Sequence, residues 1–129
     1  MTLEERAEMA KELKALGKCN CTQSVLKAFE DKLPLSEEEL MKAGAGFAAG
    51  MGCMESTCGA LIGSVITAGF LTAGTGTPSE ARNILSNFKE RCGSTLCREL
   101  KGLDTGKVLC QCPDCCKNAV LSLKNVFPD

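Results

Sequence analysis

The sequence predicts an all-α fold, a small helical bundle of about six helices with a central Gly/Ala-rich helix pair. Three observations carry that expectation. Four capping boxes punctuate the chain, each a short polar side chain followed three residues later by Glu or Gln: Thr2/Glu5, Asn20/Gln23, Ser36/Glu39 and Thr77/Glu80. Behind them apolar residues recur at helical spacing, and no stretch alternates as a strand would. With no internal repeat, 129 residues at 44% apolar content read as one domain, 1–129, able to fill a core without covalent help.

The first helix is expected to run to about Leu16, with Leu3, Ala7, Ala10 and Leu13 on one face and Gly17 placed to end it. The second covers about Cys21 to Lys32, stopped before Pro34, and the third about Glu37 to Gly50. A fourth begins near Ser56 or Thr57 and reaches about Ala73, where Gly74-Thr75-Gly76-Thr77 forms a loop. Pro78 then opens a fifth helix that ends near Gly93. Cys97-Arg98-Glu99-Leu100 forms a short turn. The last helix opens at Pro113 and reaches about Val126, with Cys116, Val120, Leu123 and Phe127 at core spacing.

Helices three and four are small-sided, through Gly44, Ala45, Gly46, Ala48, Ala49 and Gly50 in one and Gly59, Ala60, Gly63 and Ser64 in the other. The first set reads as close packing of backbones. The second set reads either as the same close packing or as space cleared beside Cys58 for something bulkier than a side chain, which makes Gly59 and Gly63 candidate cofactor-binding residues.

Charge and composition exclude several classes of function. A net charge of -1 without a long Lys/Arg block, and five Phe with no Trp or Tyr, argue against a nucleic-acid partner. Between Ala43 and Ser79 the only charged residue is Glu55, but dense apolar residues extend only from Leu61 to Leu71. That falls short of the roughly 20 a membrane span needs, so a buried central helix is expected. The start, Met1-Thr2-Leu3-Glu4-Glu5-Arg6, is charged and amphipathic rather than signal-like, which predicts a cytoplasmic protein.

Sulfur is then the main chemistry on offer. The chain has ten cysteines, at 19, 21, 53, 58, 92, 97, 110, 112, 115 and 116, and no histidine. In a reducing compartment such a chain more often binds metal or exchanges electrons than holds static bridges. Cys21, Cys58, Cys97 and Cys112 share an address: each falls at a predicted helix start, where free amides favour a thiolate. A helix terminus supplies about 0.3 to 1 kcal/mol, and up to ~2 when partly buried, about one pKa unit of help. Four converging thiolates would repel one another more than that, so convergence requires a cation, a cluster or disulfides.

The stretches Asn20-Cys21-Thr22-Gln23-Ser24-Val25, Gly46-Phe47 through Gly50-Met51-Gly52, Glu55-Ser56-Thr57-Cys58-Gly59-Ala60-Leu61-Ile62-Gly63 and Cys97-Arg98-Glu99-Leu100, with a late cysteine, resemble the C_GCAxxG_C_C family. The resemblance spans nearly the whole chain. It implies a redox-active protein whose four family cysteines fall here on Cys21, Cys58, Cys97 and Cys112, with Cys110, Cys115 and Cys116 competing for the last place. A related domain in split-Soret cytochromes is associated with an iron-sulfur centre, and the resemblance implies such a cluster here. Heme attachment does not carry over, since the chain has no Cys-x-x-Cys-His.

Three readings follow. The first is an iron-sulfur electron carrier with Cys21, Cys58, Cys97 and Cys112 as metal ligands, and with Gly59 and neighbouring amides donating to sulfur. The second is a thiol-disulfide oxidoreductase built on Cys112-Pro113-Asp114-Cys115, although the strand that normally precedes such a motif is missing. The third is structural zinc held by four cysteines; separations of 37, 39 and 15 positions favour a site gathered from several helices over a local one. Adjacent Cys115 and Cys116 point about 100 degrees apart on a helix and suit a single ion poorly. Beyond the four, Cys53 and Cys92 are candidates for supporting thiols or reversible disulfides with Cys58 and Cys97. Glu55 reads as a solvated carboxylate. The sequence assigns no catalytic residue, names no redox partner protein and leaves room for an oligomer.

Overall fold

The computed structural model describes residues 1–127. Seven α-helices carry the fold among these residues: α1 (Leu3–Ala15), α2 (Cys21–Lys27), α3 (Glu37–Ala43), α4 (Gly59–Leu71), α5 (Thr77–Cys92), α6 (Cys97–Leu100) and α7 (Cys112–Leu121). The only pairing of extended backbone among the described residues is an isolated bridge between Thr57 and Leu96, so the all-α expectation holds.

Three of the four capping boxes form as predicted. At Thr2/Glu5, Asn20/Gln23 and Ser36/Glu39 the cap side chain accepts from the third-residue amide, and that residue's side chain accepts from the cap amide. The fourth does not form. Gly76, left-handed at φ 71°, takes the cap position of α5, and the Thr77 hydroxyl instead shares a 2.7 Å hydrogen bond with Thr72.

Three helices, α2, α3 and α7, end earlier than periodicity suggests. α2 stops at Lys27 and gives way to a 3-10 turn at Glu30–Lys32, with Phe29 between them fully buried. α3 stops at Ala43 rather than near Gly50. Gly44 closes it against Gln23, where an added Cβ would lie 3.0 Å from Cγ and 3.2 Å from the backbone nitrogen. The small residues that follow therefore do not form a helix face. They form a coil that is left-handed at Ala49, Gly50, Met51 and Gly52.

α4 begins at Gly59 rather than at Ser56 or Thr57, because those two residues are engaged in the extended pairing with Thr95 to Cys97. α7 ends at Leu121, and the chain continues in turns closed by Leu123 N–H to Val120 O and Phe127 N–H to Leu123 O.

α7 lies at the centre of the assembly, packed on α1, α2, α4 and α5, while α2 and α4 form a second close seam. The seam is tight because its residues are small. An added Cβ on Gly63 would lie 3.0 Å from Val25 Cβ, and the Thr22 hydroxyl donates to Gly59 O at 2.8 Å. The core is filled by Val25, Leu26, Phe29, Leu61, Phe88 and Val120, all fully buried. Such a side chain contributes about 1.5–3 kcal/mol. Among the described residues no helix is long and apolar enough to cross a membrane.

Candidate functional site

The site is assembled where four helix starts meet. Cys58 caps α4, and Cys21, Cys97 and Cys112 are the first residues of α2, α6 and α7. Cys58 and Cys97 are fixed side by side by backbone pairing: Cys58 N–H donates to Thr95 O at 2.8 Å and Cys97 N–H to Ser56 O at 3.1 Å. Gly50 passes so close that a Cβ there would lie 2.8 Å from Cys97 Cβ. Left-handed Ala49 and Met51 flank it, at about 1–3 kcal/mol each for a non-glycine residue. This strained coil abuts the sulfur site, and Ala49 forms part of its wall.

Leu100 O accepts from the amides of Leu109 (2.9 Å) and Cys110 (3.4 Å), which holds the α6–α7 loop against α6 and brings Cys110 to the same place. Cys112 and Cys115, three residues apart on α7, share a face.

Six cysteines, Cys21, Cys58, Cys97, Cys110, Cys112 and Cys115, line one cavity together with Ala49, Gly59, Leu100 and Lys101. Its void is about 10 Å³, near the minimum for a single water. The thiols are in contact across it. Cys112 faces Cys21, and Cys115 faces Cys58, Cys110 and Cys92; Cys115 Sγ also donates to Cys110 O and Cys116 Sγ to Cys21 O, each at 3.7 Å. The Sγ atoms of Cys92, Cys110 and Cys115 all lie within 4.8 Å of one another. Asn118 on α7 donates its amide to Cys92 Sγ (3.4 Å) and Cys110 Sγ (3.9 Å). All ten cysteines are free.

Proton affinities within the cluster diverge because neighbouring thiols share protons. Cys115 holds its proton strongly, raised first by its hydrogen bond to Cys110 and then by those to Cys58 and Cys92. The same contacts push Cys110 and Cys58 down; for Cys58 the Ala60 and Leu61 amides of the first α4 turn add to the effect, although no formal cap bond closes there. Cys115 has one proton to donate, and the carbonyl of Cys110 at 3.7 Å competes for it with the neighbouring sulfurs.

The hydrogen bond from Cys112 lowers the Cys21 pKa, but Cys116 and burial outweigh it and bring Cys21 to about 12. The Cys21 contact raises Cys112, and burial raises Cys97. Lys101 is the cation of the cavity. Burial disfavours its charge, yet nearby Cys112 and Cys97 together raise its pKa. The expectation that all four helix starts favour thiolates therefore holds only at Cys58. At Cys112 the Cys21 contact, at Cys21 the Cys116 contact and at Cys97 burial outweigh what the helix dipoles supply.

Of the residues read from the sequence, Cys21, Cys58, Cys97 and Cys112 meet at the cavity, and Gly59 lines it. Gly63 does not. The space its missing side chain leaves is taken by Thr22 and Val25 of α2, so it serves helix packing. Cys112 and Cys115 are each engaged with other thiols, Cys21 for the first and Cys110, Cys58 and Cys92 for the second.

Cys92 lies with Cys110 and Cys115 instead of acting as a partner of Cys97. Cys53 is exposed on the left-handed coil with its Sγ 3.5 Å from Gly50 O. Cys19 is buried, with Lys27, Glu37 and Lys18 as its charged neighbours. Glu55 is solvated, 3.9 Å from Arg98. Sequence reading missed Lys101, Asn118 and the Cys92/Cys110/Cys115 group. Asn118 stands three residues after Cys115, the one local signal that could have linked them.

A small helical bundle with a buried cysteine cluster around a minimal void belongs to the class of cysteine-rich proteins able to hold a metal ion through sulfur. The chain belongs to the family described as "Putative redox-active protein (C_GCAxxG_C_C)", which it matches over residues 19–126. Comparisons with curated proteins and with solved structures found no match.

Proposed function

We propose that this protein carries electrons through an iron-sulfur centre held by Cys21, Cys58, Cys97 and Cys112. The observation that carries the reading is the convergence of these four sulfurs, from the starts of four helices far apart in sequence, on one cavity. The donor set fits such a group, with sulfur from every side, no imidazole in the chain and no carboxylate in the lining. The void fits a single ion as it stands. A cluster would require the Cys21–Cys112 and Cys58–Cys115 thiol contacts to part as their protons are exchanged for a cation.

When bound, the cluster would supply one-electron chemistry at a potential set by its surroundings. The chain's own residues set those surroundings. Lys101 places a positive charge beside Cys112 and Cys97, which offsets thiolate charge and favours the reduced state. The Ala60 and Leu61 amides face Cys58. Gly59 brings backbone, rather than a side chain, to the wall. Leu100 and Ala49 limit water.

Anaerobic preparation with iron and sulfide analysis tests this. Visible charge-transfer absorption with stoichiometric iron and sulfide is expected, lost in Cys58→Ser. Colourless protein holding zinc, or metal-free protein with a reversible Cys112/Cys115 dithiol couple, would replace it with the structural or thiol-disulfide reading.

A further inference from the structure

Beside the four proposed ligands lie three more sulfurs, Cys92, Cys110 and Cys115, of which Cys110 and Cys115 line the same cavity and Cys92 lies behind them. Cys92 closes α5, Cys110 sits in the loop before α7, and Cys115 lies one turn into α7. Their Sγ atoms are within 4.8 Å of one another. A metal–sulfur bond of about 2.3 Å places three sulfurs around an ion about 4 Å apart, so modest closure of the trio suffices. Cys92 and Cys115 are buried and Cys110 half-buried, which leaves one edge open for an ion to enter.

A second observation points the same way. Asn118 donates to two of the three sulfurs, 3.4 Å to Cys92 and 3.9 Å to Cys110. A side-chain amide aimed at sulfur is the kind of outer partner that orients metal-binding thiolates and offsets their charge. Three buried thiols without such partners would be small apolar filling.

We infer that Cys92, Cys110 and Cys115 form a separate three-thiolate site for a soft metal ion, with Asn118 as the residue that positions the sulfurs. Soft thiolate donors select ions such as Cu(I), Zn(II) or Cd(II) over hard ions such as Mg(II), which demand oxygen ligands. On binding, each S–H bond that breaks releases its proton to solvent as a sulfur–metal bond forms, and no oxidation state changes. The site adjoins the first along one wall: Cys110 and Cys115 also line its cavity, and Cys115 faces Cys58 there.

Cadmium(II), whose thiolate charge-transfer absorption counts bound sulfur, is the probe. The reduced, metal-free full chain is titrated anaerobically alongside Cys92→Ser, Cys110→Ser, Asn118→Ala and Cys97→Ser, each checked for helicity by circular dichroism. Cys92→Ser is expected to remove one equivalent of bound cadmium, as is Cys110→Ser, whose half-exposed position tolerates a hydroxyl if Cys92→Ser does not fold. Cys97→Ser is expected to keep that equivalent, and Asn118→Ala to keep it at about tenfold weaker affinity. Wild-type stoichiometry and affinity in the folded serine variants overturn the inference, as does loss of the same equivalent in Cys97→Ser, which would make the two groups one site. Effects of Cys92→Ser without any effect of Cys97→Ser would leave this site standing while the four-cysteine centre fails.

Discussion

Arg6 shows what a single residue does in this molecule beyond the cysteine chemistry. It is 1% exposed, yet it satisfies its charge by donating to Ala28 O (2.8 Å) and to both carboxylate oxygens of Asp31 (2.5 and 2.9 Å). Its guanidinium also lies over the rings of Phe29 (5.2 Å) and Phe127 (4.9 Å). The Arg6 contact holds the Asp31 carboxyl down, to about 2 from an ordinary 3.8. A carboxyl so depressed contributes stability above its unfolded value, and that contribution fades as pH falls towards the folded value. Thermal unfolding should therefore show the gap between wild type and Asp31→Asn closing between about pH 4 and pH 2. The gap itself stays under about 1 kcal/mol, because Asp31 is largely exposed and water screens the pair. Arg6→Ala should cost more, about 3 kcal/mol, through lost packing and a broken buried network.

At the scale of elements, the contact of α2 with α4 decides whether sulfurs from different helices meet. Gly59 is the pivot: a Cβ there would lie 2.8 Å from Thr22 Oγ1 and 2.9 Å from Phe47 O. Gly59→Ala should destabilise by about 1–3 kcal/mol in chemical denaturation and weaken metal uptake by pushing Cys58 away from Cys21. Gly69, on the same helix with a normal helical backbone and nothing within 4 Å of a would-be Cβ, gives the opposite result. Gly69→Ala should stabilise by about 0.5–1 kcal/mol, since helix propensity alone is at stake. Ser56 and Thr95 form the other decisive element contact, because their carbonyls accept from the amides of Cys97 and Cys58.

For the whole molecule, binding of the proposed metal would be linked to folding. The cluster draws thiols from α2, α4, α5, α6 and α7 and from the loop before α7, so an ion held there closes contacts among most of the elements. Anything that binds the folded chain and not the unfolded one stabilises it by mass action, about 2.7 kcal/mol at a hundredfold excess over Kd. Calorimetry should show the melting temperature rise by several degrees with saturating metal and fall back on chelation. Without metal the bundle should stay helical, since the burial of Val25, Leu26, Phe29, Leu61, Phe88 and Val120 does not depend on metal–sulfur bonds.

Local signals determined much of this protein. The helix starts at Thr2, Asn20 and Ser36 are written as short polar caps with an acid or amide three residues on, which is chemistry confined to one turn. The family motif around Cys58, and the placement of Cys21, Cys97 and Cys112 at helix starts, were legible for the same reason. What stayed illegible depends on long-range packing. A left-handed Gly76 displaced Thr77 from its cap, and the coil through Ala49 to Gly52 replaced the end of a helix. Contacts with neighbouring thiols at Cys21 and Cys112, and burial at Cys97, overrode the helix dipoles. Only the tertiary structure brought Cys92 to Cys110 and Cys115 and turned Lys101 towards sulfur, because their proximity depends on how α5, α6 and α7 pack and leaves no periodic trace along the chain.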